Sequence, residues 1–192
     1  VASGAGATNI FASANATLYR STDGGASFAS STVIQAGQLR APYPPLLLDP
    51  VAPTTVFTAG RRVYRSTDSG ATWTALGTVD PDLNTVIVAL TMAPLARQIM
   101  YAATACLPEV TPKANCPATS TVWRSTNSGS SWARVSALPG LVSRLASDRA
   151  QPNLLYAAIG SYPGGPSGSA GYYQGDLLRT AEATGATGGR EP

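Results

Sequence analysis

The sequence predicts an all-β chain built from a repeated four-stranded antiparallel unit, and three observations carry that reading. First, "LYRSTDGGASF" at residues 18–28 returns as "VYRSTDSGATW" at 63–73 and "VWRSTNSGSSW" at 122–132, with a worn copy, "LLRTAEATGAT", at 177–187. The arginines of these copies are Arg20, Arg65, Arg124 and Arg179, spaced by 45, 59 and 55 residues. Periods of that size mark solenoids, propellers or arrays. Second, the apolar residues fall in short runs such as "TVFTAG", "QIMYAAT" and "NLLYAAI", bounded by Pro, Gly, Asn and Asp, which is the signature of strands. Third, no segment sustains a 3.6-residue apolar period, and helix interiors do not hold this much Gly, Pro and Thr.

Within each repeat the order is constant. An apolar run ("PLLLDP", "VIVALTMAP", "LVSRLASDR") supplies a first strand and leads into a turn bearing Pro or Asn. The "VFTA", "MYAAT" or "LYAAI" run supplies a second strand. The third ends in the "RSTDSG" element, and the last opens on an aromatic residue. Four short antiparallel strands in about 50 residues describe a propeller blade. Blades are expected at 1–38, 39–80, 81–138 and 139–192, all in one domain. "NIFASA" reads as a second strand and the sequence ends soon after a third, so two whole blades are expected between two partial ones. The expectation is an arc of a larger propeller.

The recurring element has a local physical reason. In "STDGGASF" the Ser and Asp side chains can hydrogen-bond their own turn. Gly25, Gly70 and Gly129 supply a backbone conformation that a Cβ resists. Phe28, Trp73 and Trp132 are expected to drop back between sheets as apolar anchors.

This Ser-x-Asp-x-Gly-x-Ser/Thr-aromatic pattern resembles the Asp-box (bacterial neuraminidase repeat, BNR) family of β-propellers, over nearly the whole chain. The resemblance implies a structural turn between third and fourth strands, away from any active site. It places the first box on Ser21, Asp23, Gly25 and Phe28, and the second on Ser66, Asp68, Gly70 and Trp73. The third falls on Ser125, Asn127, Gly129 and Trp132, with Asn in the Asp position. The fourth departs from the pattern, with Glu182 near the Asp position and no aromatic after Thr187. The family includes sialidases, xyloglucan hydrolases, sortilin-type receptor domains and assembly factors of photosynthetic membrane complexes.

Composition narrows the function classes. Hydrophobic residues make up 44% and charged ones 12% of the 192 residues, a globular balance. The net charge of +3 is carried almost wholly by arginine; Arg20, Arg65, Arg124 and Arg179 fall one per repeat and only Arg61-Arg62 form a pair, which argues against a nucleic-acid-binding face. No stretch approaches the roughly 20 apolar residues of a membrane helix. Cys106 and Cys116 flank a proline-rich segment whose closure as a disulfide would add up to roughly 3 kcal/mol. A disulfide implies an oxidising compartment, so an extracytoplasmic location is expected. The other reading is a pair of unrelated free thiols; a metal site would need further ligands, and the chain has no histidine. Val1 opens without a charged or apolar leader, so any signal peptide lies outside this sequence. "NAT" at Asn15 matches a glycosylation acceptor.

Function, on this reading, belongs to the face opposite the repeated turns, where the loops vary most. Arg61 and Arg62 lie in one such loop, and Tyr162, Tyr172 and Tyr173 in another rich in glycine. Tyrosines among small residues make contact at low entropic cost, and they stack on sugar rings; the bland alternative is a long loop with incidental tyrosines. No catalytic constellation is legible. Asp49 and Asp148 are expected to cap turns, while Asp80, Asp82, Glu109 and Asp176 match no catalytic motif. Neither a cofactor nor a metal is expected. The expected function is a non-catalytic binding or assembly module docking to a larger protein complex, with association to a membrane complex included. The alternative is part of a secreted glycosidase or a carbohydrate-binding propeller.

Overall fold

The computed structural model describes residues 9–14, 17–31, 41, 43–81, 85–107 and 119–160 with their side chains, and residues 2–3, 176–180 and 189–190 by backbone alone. These residues form sixteen strands in four antiparallel sheets, each a simple meander of four consecutive strands. The first sheet holds β1 (Ala2–Ser3), β2 (Ile10–Ala14), β3 (Thr17–Ser21) and β4 (Ala29–Ser31). The second holds β5 (Leu46–Leu48), β6 (Val56–Ala59), β7 (Arg62–Ser66) and β8 (Thr74–Thr78). The third comprises β9 (Val86–Met92), β10 (Met100–Ala105), β11 (Thr119–Ser125) and β12 (Ala133–Pro139). The fourth comprises β13 (Leu141–Ser147), β14 (Leu155–Gly160), β15 (Asp176–Thr180) and β16 (Gly189–Arg190). "NIFASA" is a second strand, as its pattern implies. The two terminal sheets are the slighter ones: their outermost members, β1 and β16, span two residues each.

The register is the same in every sheet. Phe11, Phe57, Tyr101 and Tyr156 of the second strands stand opposite Arg20, Arg65, Arg124 and Arg179 of the third. Because side chains alternate along a strand, this fixes which residues face the next sheet and which face the one before.

Successive sheets pack face to face through their first strands: β5 on β1 and β2, β9 on β5 to β7, and β13 on β9 to β11. Three apolar seams result. Phe11, Leu18, Val56 and Tyr64 fill the first, Phe57, Val63, Met100 and Trp123 the second, and Tyr101, Val122, Leu145 and Leu155 the third. Every residue of β10 is buried, and its alanines let the flanking sheets approach closely. Full burial of each large apolar side chain stabilises the seams by about 1.5–3 kcal/mol. Four-stranded meanders stacked in chain order make an arc of a β-propeller, so each sheet is a blade.

The first-to-second-strand turns of blades two, three and four share one backbone. Asp49, Ala93 and Asp148 each donate an N–H to the residue six positions on, at 3.0, 3.0 and 2.9 Å. Asp49 Oδ1 accepts the N–H groups of Val51 and Ala52 at 2.9 and 3.1 Å. Asp148 Oδ1 does the same for Ala150 and Gln151 at 2.8 and 2.9 Å. Both aspartates therefore cap turns, as expected. Burial pushes the Asp49 carboxyl up, but those two amides and the Arg97 guanidinium outweigh it and hold it below the ordinary carboxylate range.

Candidate functional site

The repeated element folds as a turn closed by its own side chains. In the second blade, Ser66 is buried and its hydroxyl accepts the Gly70 N–H at 2.7 Å while donating to Asp68 Oδ1 at 2.7 Å. Asp68 then accepts the Thr72 N–H at 2.9 Å and the Thr72 hydroxyl at 2.5 Å. Ser21, Asp23, Gly25 and Ser27 repeat these contacts in the first blade. Ser125, Asn127, Gly129 and Ser131 repeat them in the third, with one exchange: Asn127 Nδ2 donates to the Ser131 hydroxyl at 2.8 Å. The hydroxyls of Ser27 and Thr72, followed by serine and backbone donors, hold the Asp23 and Asp68 carboxyls well below the ordinary range. A carboxylate so fully engaged is a fixed acceptor and a poor proton donor.

Gly70 is needed twice over. Its φ of 81° lies in the left-handed region, and a Cβ there would come within 2.7 Å of the Phe11 ring of the preceding blade. The turns are also tied to their neighbours on the same face. Ser69 and Ser128 N–H groups reach Thr54 and Gln98 carbonyls at 2.8 and 2.9 Å. Across blades, Gly77 N–H reaches the Gly129 carbonyl at 3.1 Å.

The aromatic anchors divide. Trp73 and Trp132 are half-buried in the seams with the preceding blades, each donating its indole N–H to its own turn, at Gly70 O (3.2 Å) and Gly129 O (3.1 Å). Phe28 does not anchor: it is 46% exposed. It stands on the face of the first blade turned away from the second, where the described residues place no blade beneath it. The fourth copy, from Ala181 onward, lies outside the described residues.

The opposite end of the blades carries Arg61 and Arg62, in the hairpin between β6 and β7. Arg61 is half-buried and Arg62 exposed; Gly60 N–H bonds Arg62 O at 3.0 Å, and Gly60 O accepts Ile87 N–H of the third blade at 2.8 Å. At this end Asp80 accepts the Thr85 hydroxyl at 2.8 Å and the Thr104 hydroxyl at 3.4 Å, and Trp123 Nε1 donates to Thr104 at 2.9 Å. That chain of contacts has no signature in the sequence, because its members meet only through strand pairing and packing. Cys106 is buried, and no described cysteine is free. Cys116, Tyr162, Tyr172, Tyr173, Asp82, Glu109 and Asn15 lie outside the described residues. Among the described residues no group of three or more His, Cys, Asp or Glu could hold a metal ion. No helix among them is long and apolar enough to cross a membrane.

Arginine and tyrosine instead join blades. Arg97 pairs with Asp49 at 2.8 Å across the second seam. Arg124 Nη2 reaches Asn153 Oδ1 and the Tyr101 hydroxyl reaches Pro152 O, both at 2.8 Å, across the third. Burial raises the Tyr101 pKa, which keeps that hydroxyl a donor.

The arrangement defines a class: an antiparallel β-propeller. No protein-family model and no curated protein matches the sequence. Solved structures do match the fold. An ancestral GH74 enzyme superposes with a TM-score of 0.60 at 18% identity, over 88% of this chain and 21% of its own. YCF48 bound to D1 peptide gives 0.51 at 15% identity, over 90% of this chain and 46% of its own. The NanB sialidase from Streptococcus pneumoniae gives 0.51 at 16% identity, over 85% and 25%. At these identities the likeness establishes the fold, and the chain spans less than half the length of each of these proteins.

Proposed function

We propose that the chain is a non-catalytic binding or assembly module of Asp-box type, working outside the cytoplasm and docking onto a larger protein complex through the loops opposite its repeated turns. The observation that carries this reading is the asymmetry between the two ends of the blades. At one end the turns recur with the same backbone and the same hydrogen bonds. At the other, the second-to-third-strand connections grow from residues 15–16 and 60–61 to residues 106–118 and 161–175. Variable loops on a rigid scaffold are where binding resides. All five carboxylates with described side chains (Asp23, Asp49, Asp68, Asp80 and Asp148) are engaged by their own turns or by threonine hydroxyls. That engagement supports a non-catalytic role. A propeller neighbour solved with a bound peptide supports a protein partner.

A buried Cys106 that is not a free thiol supports its pairing with Cys116, and with it an oxidising compartment. The second reading is a piece of a secreted glycosidase or a carbohydrate-binding propeller. Its support is the hydrolase neighbours and the tyrosines of the 161–175 segment.

Shortening residues 163–172 to a Gly-Ser link should abolish capture of a protein complex from host extract while leaving the melting temperature unchanged. Retained capture by the shortened variant would remove the docking role of that loop. Binding to a glycan array, lost in the same variant, would favour the carbohydrate reading instead.

A further inference from the structure

The seam between blades two and three, at the end opposite the repeated turns, brings together residues that hold no blade in place. Gly60 and Arg61 close the hairpin between β6 and β7, and the Gly60 carbonyl accepts the Ile87 N–H of the third blade at 2.8 Å. The segment leading into β5 arrives at the same place. Leu46 pairs with Thr58, so the antiparallel register carries Pro44 toward Gly60 and Tyr43 toward Arg61. Ala41, just before them, is buried against Val86, Ala105 and Leu107 of the third blade. Pro44 is buried and Pro45 half-buried. Prolines fix their own φ, so Tyr43 stands on a stiff, packed base. Tyr43 itself is 71% exposed.

Arg61 beside it is a half-buried cation without a counter-charge. Its Nε is buried, and its side chain has no hydrogen-bond or ion-pair partner among the described residues. Arg20 and Arg124 also bury an unpaired Nε, but their Nη2 atoms bond Asn9 and Asn153. Asp80, at the same end, accepts the Thr85 and Thr104 hydroxyls instead. A buried N–H without an acceptor bears a desolvation cost that an incoming oxygen relieves. Arg62 adds a second, exposed cation to the hairpin.

We propose that Tyr43, Arg61 and Arg62 form the contact point for an acidic segment of a partner protein, with a carboxylate on the Arg61 guanidinium and the adjoining residue against the Tyr43 ring. The inference rests on the docking role proposed above and names the chemistry that role reads. A guanidinium offers a carboxylate two parallel N–H donors, and tyrosine and arginine are among the residues that dominate interface energies. The other arginines with described side chains lie on strands or at the opposite end. This end therefore has a point of positive charge suited to one or two carboxylates, not the basic stripe that a polyanion needs.

Fluorescence anisotropy with a short labelled oligoglutamate peptide tests this, with oligoglutamine as the neutral probe. Wild type should bind the oligoglutamate peptide and ignore oligoglutamine. Arg61→Gln should weaken that binding by at least about ten-fold, and Tyr43→Ala should weaken it by a smaller factor. Both variants should melt as wild type does. Arg149→Gln, which removes the same charge from an exposed position at the opposite end, should bind the peptide as wild type does. Equal weakening by Arg149→Gln and Arg61→Gln, or a wild type that ignores the peptide, would overturn the proposal. Tighter binding of a uronic-acid oligosaccharide at Arg61 would overturn the peptide assignment in favour of a glycan. Capture of a complex from host extract separates this site from docking as such. If Arg61→Gln captures as wild type does and only the loop-shortened variant fails, docking stands and this contact point falls. A wild type that captures nothing yet binds the peptide through Arg61 would sustain the site and remove the docking reading.

Discussion

The second and third turns spell almost the same sequence and fold into the same shape, yet one is charged and the other is not. Asp68 accepts from the Thr72 hydroxyl, while Asn127 donates to the Ser131 hydroxyl, and the hydroxyl reverses its role to suit. Both keep an Oδ1 that accepts from a serine hydroxyl and from a backbone N–H. What the turn requires is therefore that acceptor oxygen and the buried serine behind it; the charge is an addition. The first turn adds a second lesson. Its hydrogen bonds match those of the second, but Phe28 lacks the neighbour that Trp73 has. The turn closes by itself, and its aromatic gains burial only from the preceding blade.

The largest expected effect follows from that second contrast. Trp73→Ala should destabilise the chain by about 3 kcal/mol, the low end for large aromatic truncations because the ring is half-buried. Phe28→Ala should stay within about 0.5 kcal/mol in the monomer, as exposed positions do. Paired thermal melts check this, and equal shifts would erase the distinction between the two turns.

A smaller effect tests the serine. Ser66→Ala removes the acceptor of the Gly70 N–H at a buried position, and an unsatisfied buried donor costs about 1–3 kcal/mol. Ser125→Ala should cost as much, because that serine serves the uncharged turn identically. Urea denaturation of both variants measures this; a loss confined to Ser66→Ala would mean that the carboxylate is what matters.

The smallest effect is a pH dependence. The folded-state carboxyls of Asp23 and Asp68 lie below their unfolded-state value of about 4. The stability they contribute is complete above that pH and is lost as pH falls toward the folded-state value. Asp23→Asn with Asp68→Asn, which copies the third turn twice, should therefore lose less stability than wild type on acidification from about pH 4 to about pH 2. Melting temperatures across that range decide it, and parallel acid losses would show that these carboxylates are not the source.

The contrast also explains what was legible in the sequence. Strands, their order within each blade and the turn chemistry are local matters, set by β-branched runs, prolines and a Ser-x-Asp-x-Gly spacing. Asp49 and Asp148 were readable as caps for the same reason. The exposure of Phe28 was not, since it depends on which blade lies beneath. Nor was the Asp49 pair with Arg97, 48 residues away, nor the Asp80 contacts with Thr85 and Thr104. Each needs the packing of blades or the pairing of strands before its partners meet. Of the repeated arginines, Arg124 braces the third seam through Asn153, a partner that only blade packing brings near. Arg20 instead bonds Asn9 within its own blade.

The central claim is that Trp73 and Trp132 each lock their blade onto the one before it. A double-mutant cycle between Phe11 and Trp73 tests that most directly, with Phe28 and Phe11 as the control pair. The account predicts a coupling of about 0.5–3 kcal/mol for Phe11 with Trp73, as for residues in contact, and additive losses for Phe11 with Phe28. Additive losses for Phe11 with Trp73 would contradict it.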